Sequence, residues 1–181
     1  MNPGSLARRY GRAFFLVVEE AGKIDLLGGE IEKAALFFQK NHEVIKTLAD
    51  NFYPLSERKQ LFSQFADHLS LSIETRNFLN LLLDKNRISF FPEIAFEFGR
   101  LLDEVRGIVR IEVASAAPLS RDFLKRAGQF LSQKTGKKPV IVEKINPDLV
   151  GGVVLREGGV LYDGSVRSEI RKLKEQLIGM V

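Results

Sequence analysis

The spacing of the apolar residues first departs from the helical period at Gly107, and that change limits what each part of the chain can become. Upstream, apolar residues recur every three to four positions, which is the period of one helix face. The stretch from Ile24 to Lys40, for example, carries Ile24, Leu27, Ile31, Ala34 and Phe38. Downstream, "IVRIEVASA" starts at Ile108 and sets Ile108, Arg110 and Glu112 against Val109, Ile111 and Val113. That is period two, a strand with one apolar face.

Punctuation before Gly107 marks six helices. Ser5 is placed to cap a first helix running to about Glu20, with Gly22 just past its end. The second is Ile24 to Lys40. A third, about His42 to Ala49, follows an Asn41 cap, and a fourth, Ser56 to Ala66, follows the break at Pro54. Ser72 caps a fifth that reaches about Lys85. The sixth runs from about Pro92 to Val105, with Ile94, Ala95, Phe98, Leu101, Leu102 and Val105 inward. Short loops join them, so residues 1–105 are expected as a compact six-helix bundle.

After the first strand, Pro118 breaks the chain and Ser120 caps a helix to about Thr135, stopped by Gly136. "PVIVEKI" is a second strand, and Asn146-Pro147-Asp148 is a turn. Two further strands fit Val150–Arg156 and Val160–Asp163, and a last helix starts at Ser165. Residues 106–181 are therefore expected as a small β-α-β-β-β-α domain with a mixed sheet, making the chain α+β.

Composition divides at the same place. Residues 1–105 hold 13 Lys and Arg against 15 Asp and Glu, whereas residues 106–181 hold 14 against 8. Twelve of the 14 phenylalanines lie in the first part. The second part should favour acidic partners. There is no cysteine, which excludes disulfides, thiol nucleophiles and Cys-ligated metals. The longest obvious apolar run, Ala13 to Val18, is six residues, far below the roughly 18 that a spanning helix needs. No direct membrane insertion is expected. Arg8, Arg9 and Arg12 interrupt any signal-peptide pattern, and an untargeted start at Met1 favours a bacterial source.

Two glycine pairs, in "LVGGVVLREGGVLYDGS", raise the question of a phosphate loop. Neither G-x-x-x-x-G-K-[ST] nor G-x-G-x-x-G is present. Gly158-Gly159 instead separates two β-rich runs, as a hairpin turn does, and Gly151-Gly152 marks a bulge or a close backbone approach. Asp163-Gly164-Ser165 lacks the second glycine of a nucleophile elbow, so Asp163 and Ser165 read as helix-capping residues. His42 and His68 lie 26 residues apart, with no partner at metal-ligand spacing. Glu93 and Glu97 share a helix face, but with Arg100, Asp103 and Glu104 they read as its solvated side. Residues 106–181 hold only Phe123, Phe130 and Tyr162 as aromatics, and the two Phe sit at helical core spacing, against single-strand nucleic-acid stacking. No catalytic, cofactor or metal residues are expected.

The first and fifth helices carry more apolar surface than one core requires. On the first, Leu6, Tyr10, Ala13, Phe14, Phe15 and Val17 belong to an arc of about 200°. On the fifth, Phe78, Leu79, Leu81, Leu82 and Leu83 spread as widely. Either both helices are central in the bundle, or part of each face receives another protein's helix.

These segments resemble a known family. "LARRYGRAFFLVVEEAG" is similar to the opening of the delta subunit of bacterial F-type ATP synthases, the counterpart of the mitochondrial oligomycin-sensitivity-conferring protein. "FLNLLLDKNRISFFPEIAFEF", with Asn86-Arg87, and "VASAAPLS" match its middle. The Asn146-Pro147 segment running into Gly151-Gly152, then Asp163-Gly164-Ser165-Val166 and a Leu-spaced helix, matches its end. Gly11 stands where the family more often has Ala, Phe14 where it has Leu, and Asn146 where it has Asp.

The resemblance implies a noncatalytic stator subunit without cofactors, part of a hetero-oligomeric synthase. It implies that the bundle binds the N-terminal segment of an alpha subunit through its first and fifth helices. Tyr10, Ala13, Phe14, Val17, Phe78, Leu81 and Leu82 are the candidate contacts. It implies that the C-terminal domain meets the C-terminal helices of the b subunits, at the cytoplasmic face of a bacterial inner membrane. A nucleic-acid adaptor using the basic part is the alternative.

Overall fold

The structure, a computed structural model, describes residues 3–157 and 160–178. It divides into two compact units, Met1–Leu102 and Asp103–Val181, three residues ahead of the division that composition marks. The fold is α+β, helices followed by a four-stranded mixed sheet.

The helices of the first part are α1 (Pro3–Glu20), α2 (Ile24–Lys40), α3 (His42–Ala49), α4 (Leu55–His68), α5 (Ile73–Asp84) and α6 (Phe91–Val105). Buried side chains from all six, among them Leu6, Leu27, Leu48, Phe62, Leu79 and Ile94, form one core. Helix α1 begins two residues before Ser5, which falls inside the first turn instead of capping it. Proline suits that start because a first-turn N–H has no intrahelical partner anyway. Gly22 does follow α1 at φ +64°. Asn41 gives no side-chain cap to α3; its Nδ2 donates to the Phe37 carbonyl at 2.9 Å and closes α2. Val105 is exposed at the end of α6, not inward. Asp103 is buried instead of solvated, because Arg110 reaches it with two hydrogen bonds of 2.5 and 3.1 Å.

Gly11 explains how α1 meets α6. A Cβ there would lie 3.2 Å from the Phe98 nitrogen and 3.3 Å from the Ile94 carbonyl oxygen, so the missing side chain lets two helix backbones approach.

The second unit contains β1 (Ile108–Ser115), α7 (Arg121–Thr135), β2 (Lys138–Ile145), β3 (Gly152–Glu157), β4 (Val160–Ser165) and α8 (Val166–Ile178). The sheet order is β2-β1-β3-β4, with β1 parallel to β2 and the other pairs antiparallel. Ser120 caps α7 by accepting from the Phe123 N–H, and Gly136 ends it at φ +67°. Ile111, Val113 and Leu131 form the core. Phe130, expected at a core position, is exposed; Leu131, one step of about 100° around the helix, takes the inward place.

β3 starts two residues later than its β-rich sequence suggests. The chain leaves a 3-10 turn at Pro147–Leu149 through Val150 at φ +63°, so Val150 and Gly151 belong to the turn. β4 runs two residues further than expected, to Ser165, where Gly152 pairs with it. The Gly158-Gly159 turn lies outside the described residues; Glu157 and Val160 on either side of it are paired.

Candidate functional site

Three cross-ties fix how α1 and α5 lie. Arg87, just beyond α5, donates from Nη1 to the Tyr10 hydroxyl. Phe14 stacks on Phe78 with ring centroids 4.2 Å apart. Lys23, just beyond α1, bonds Glu74 at 2.7 Å. The numbers rise along α1 while they fall along α5, so the two helices run antiparallel, side by side. The Lys23 ammonium, hydrogen-bonded to the Glu74 carboxylate, holds that carboxyl below its ordinary value.

The seven candidate contacts divide between core and surface. Phe14, Phe78 and Leu82 are buried, with the Phe14–Phe78 stack at the seam. Tyr10 is half-buried, flanked by the guanidinium carbons of Arg9 and Arg87 at 5.5 and 5.3 Å from its ring centre. Ala13 and Val17 on α1, with Leu81 on α5, are exposed; Val17 retains 47% and Leu81 43% of their surface. Val17 and Leu81 each lie one turn beyond a member of the stack, so apolar surface flanks the stack on both helices. Sequence reasoning missed Leu16 and Ile73, also exposed on these helices, and Arg87. Arg87 was visible in the Asn86-Arg87 motif, but a contact across 77 residues leaves no local trace.

What seats α5 is a carboxylate from α2. Ser72 occupies the N-cap position but its side chain does not cap. Its N–H donates to both oxygens of Glu30 at 3.1 Å, and its hydroxyl donates to Glu30 Oε2 at 2.7 Å. The buried Thr75 hydroxyl donates to the same oxygen at 2.5 Å. Glu30 therefore satisfies the start of α5 from outside the helix, where its negative charge also suits the helix dipole.

The glycine and capping residues of the second unit act on the backbone. A Cβ on Gly152, at φ +78°, would sit 2.3 Å from the Gly164 carbonyl oxygen, so β3 and β4 meet there only without a side chain. Gly151 is less tightly placed, its Cβ position lying 3.2 Å from Val166 Cγ2. Ser165 Oγ accepts from the Ser168 N–H at 3.2 Å and caps α8. Asp163 accepts from the Ser165 N–H at 2.9 Å and from the Ser168 hydroxyl at 2.5 Å. The Ser168 bond, aided by those from Ser165, lowers the Asp163 carboxyl to about 2. A stapled helix start of this kind is a structural device.

Among the described residues no group of His, Asp and Glu is placed to hold a metal ion, and no helix is long and apolar enough to cross a membrane. Glu93 and Glu97 border a shallow apolar cleft of about 380 Å³ with Gly4, Ala7, Pro92 and Phe96. Glu97 is bound to Arg100 at 3.3 Å.

Comparison with known proteins gives the family and the fold. The family described as ATP synthase delta (OSCP) subunit matches residues 6–177. The chain is 38% identical to the ATP synthase subunit delta of Desulfitobacterium hafniense (strain DSM 10664 / DCB-2), covering 98% of each. It is 35% identical to that of Syntrophomonas wolfei, over 96% of this chain and 94% of the relative. In fold it is similar to a chain of the Toxoplasma gondii mitochondrial ATP synthase hexamer, with a TM-score of 0.76 at 20% identity, over 96% of this chain and 97% of that one. Nothing among these matches supports the nucleic-acid alternative.

Proposed function

The chain belongs to the ATP synthase delta (OSCP) subunit family, and from that premise we propose that it holds the catalytic head of a rotary synthase against the torque of the rotor. Membership makes it a structural component of the peripheral stalk and not a catalytic subunit. On our reading the α1–α6 bundle binds the N-terminal segment of an alpha subunit, and the sheet-containing unit binds the C-terminal helices of the b subunits. It does so peripherally, at the cytoplasmic face of a bacterial plasma membrane.

The observation that supports binding of the alpha subunit is the antiparallel α1/α5 pair. Its seam is closed by Phe14 and Phe78, while Ala13, Val17 and Leu81 keep apolar surface in water beside it. An amphipathic helix laid along that seam would bury them. Titration of the full chain with a peptide from the N-terminus of the alpha subunit tests this. Leu81→Asp and Val17→Asp should each weaken binding by about tenfold or more, as a charge in a desolvated contact does. Folded variants that bind like the unaltered chain would sink the assignment. Phe14→Asp and Leu82→Asp are poor probes, since a carboxylate among core side chains would cost several kcal/mol of stability first.

A further inference from the structure

Asp163-Gly164 is the one place in the sequence where an Asp or Asn precedes a glycine. Such a pair carries its own chemistry. The glycine amide nitrogen can attack the Asp side-chain carboxyl carbon and close a cyclic imide, a succinimide. Glycine has no Cβ to hinder the approach and reaches the backbone angles that the ring needs. The new N–C bond replaces a C–O bond of the carboxyl group, and that oxygen leaves as water with the amide proton and the carboxyl proton. Water then opens the ring at either carbonyl. One opening restores Asp; the other gives isoaspartate, in which the main chain runs through the side-chain carbon. Water is the only co-reactant.

Both reacting groups are engaged in this fold. The Val166 N–H donates to the Gly151 carbonyl at 3.1 Å, and bonded pairs alternate along an antiparallel ladder. The Gly164 N–H, two residues back, is therefore given to Val153 across the strand pair. Asp163 Oδ1 accepts from the Ser165 N–H at 2.9 Å, and Oδ2 accepts from the Ser168 hydroxyl at 2.5 Å. Ser168 is only 5% exposed, and its oxygen accepts in turn from Arg171 at 3.4 Å. Asp163 itself is exposed, so water reaches it, and these bonds rather than burial hold it in place. Ring closure also needs a protonated carboxyl group, and one lowered to about 2 is protonated less often than an ordinary Asp.

We propose that Asp163-Gly164 is a self-modification site, kept silent by Ser165 and Ser168 at the start of α8 and released when that first turn opens. Isoaspartate lengthens the main chain at residue 163. The Val154–Asp163 and Gly152–Ser165 pairs then no longer share one register, and the clamp on Ser168 is lost. A chain whose α8 has come away long enough to react is permanently marked and does not close again.

Incubating the full chain in neutral buffer made with heavy-oxygen water tests this. Each ring that opens leaves a heavy oxygen at residue 163, which peptide mass mapping detects. The folded chain should take up label at least about tenfold more slowly than the same chain unfolded in urea. Ser168→Ala, still folded, should take it up about tenfold faster than the unaltered chain, the effect of losing a hydrogen bond to a charged group. Ser165→Ala removes the cap on α8 and gives the same comparison if the first variant does not fold. Equal uptake by the folded and unfolded chain would overturn the proposal. So would folded Ser168→Ala or Ser165→Ala chains that take up label no faster than the unaltered one.

Discussion

Val150 and Gly152 stand two residues apart and should respond to substitution with opposite signs. Val150 is exposed yet held at φ +63°, where a β-branched side chain is crowded by its own backbone. Val150→Gly should stabilise the chain by about 1 kcal/mol, since it removes that crowding and few contacts. Gly152→Ala should destabilise it by about 2 kcal/mol or more, because the new Cβ meets the Gly164 carbonyl at 2.3 Å. Urea unfolding at one pH reads both. The role of Gly152 was legible in the sequence because a glycine inside a β-rich run implies close approach. Val150 was not legible, since a valine there reads as strand and only the preceding 3-10 turn forces it to positive φ. Asp163 adds a pH dependence. Its folded value of about 2 lies below the ordinary 3.8, so its contribution to stability is present above about pH 4 and is lost as pH falls toward 2. Asp163→Asn should flatten the acid limb of a thermal melting profile over that window.

At the scale of elements, the external cap on α5 is the feature local sequence could not reveal. Ser72 sits where an N-cap belongs, and its residue type predicts that it caps. Its hydroxyl is bound instead by Glu30, 42 residues away. Helix and strand positions along the chain depend on near neighbours and were read within about three residues, whereas the sheet order β2-β1-β3-β4 depends on distant pairings and was not read. Which partner a polar side chain chooses depends on elements far apart in the chain. Phe130 shows the same limit differently, since periodicity gives the inward stripe of α7 but not how much of the sheet that stripe covers. Glu30→Ala would leave the Thr75 hydroxyl and the Ser72 N–H without their acceptor in a largely buried place. The expected cost is about 2 to 3 kcal/mol. Amide exchange should quicken first in the opening turn of α5, while α4 and α6 keep their protection. Equal quickening throughout the helices would mean that Glu30 serves the whole core.

Across the whole molecule, charge and apolar surface are distributed so that the two proposed contacts should be distinguishable by salt. The first part is nearly balanced, with 13 basic and 15 acidic residues, and its candidate contacts are Ala13, Val17 and Leu81. Binding there should come from apolar burial, which ordinary salt hardly weakens. The second part carries a basic excess, with 14 basic and 8 acidic residues, and Lys134 lies over the Tyr162 ring. Attraction between exposed charges is largely screened beyond a Debye length, about 10 Å at 0.1 M and 3 Å at 1 M. Raising salt from about 0.05 to 0.5 M should therefore weaken the b-subunit peptide several-fold, mainly through a slower association rate. The alpha-subunit peptide should change little over the same range. Lys134→Glu should reduce the first salt dependence and leave the second alone. If both peptides respond equally to salt, the division of labour between a neutral and a basic surface is wrong, whichever faces they occupy.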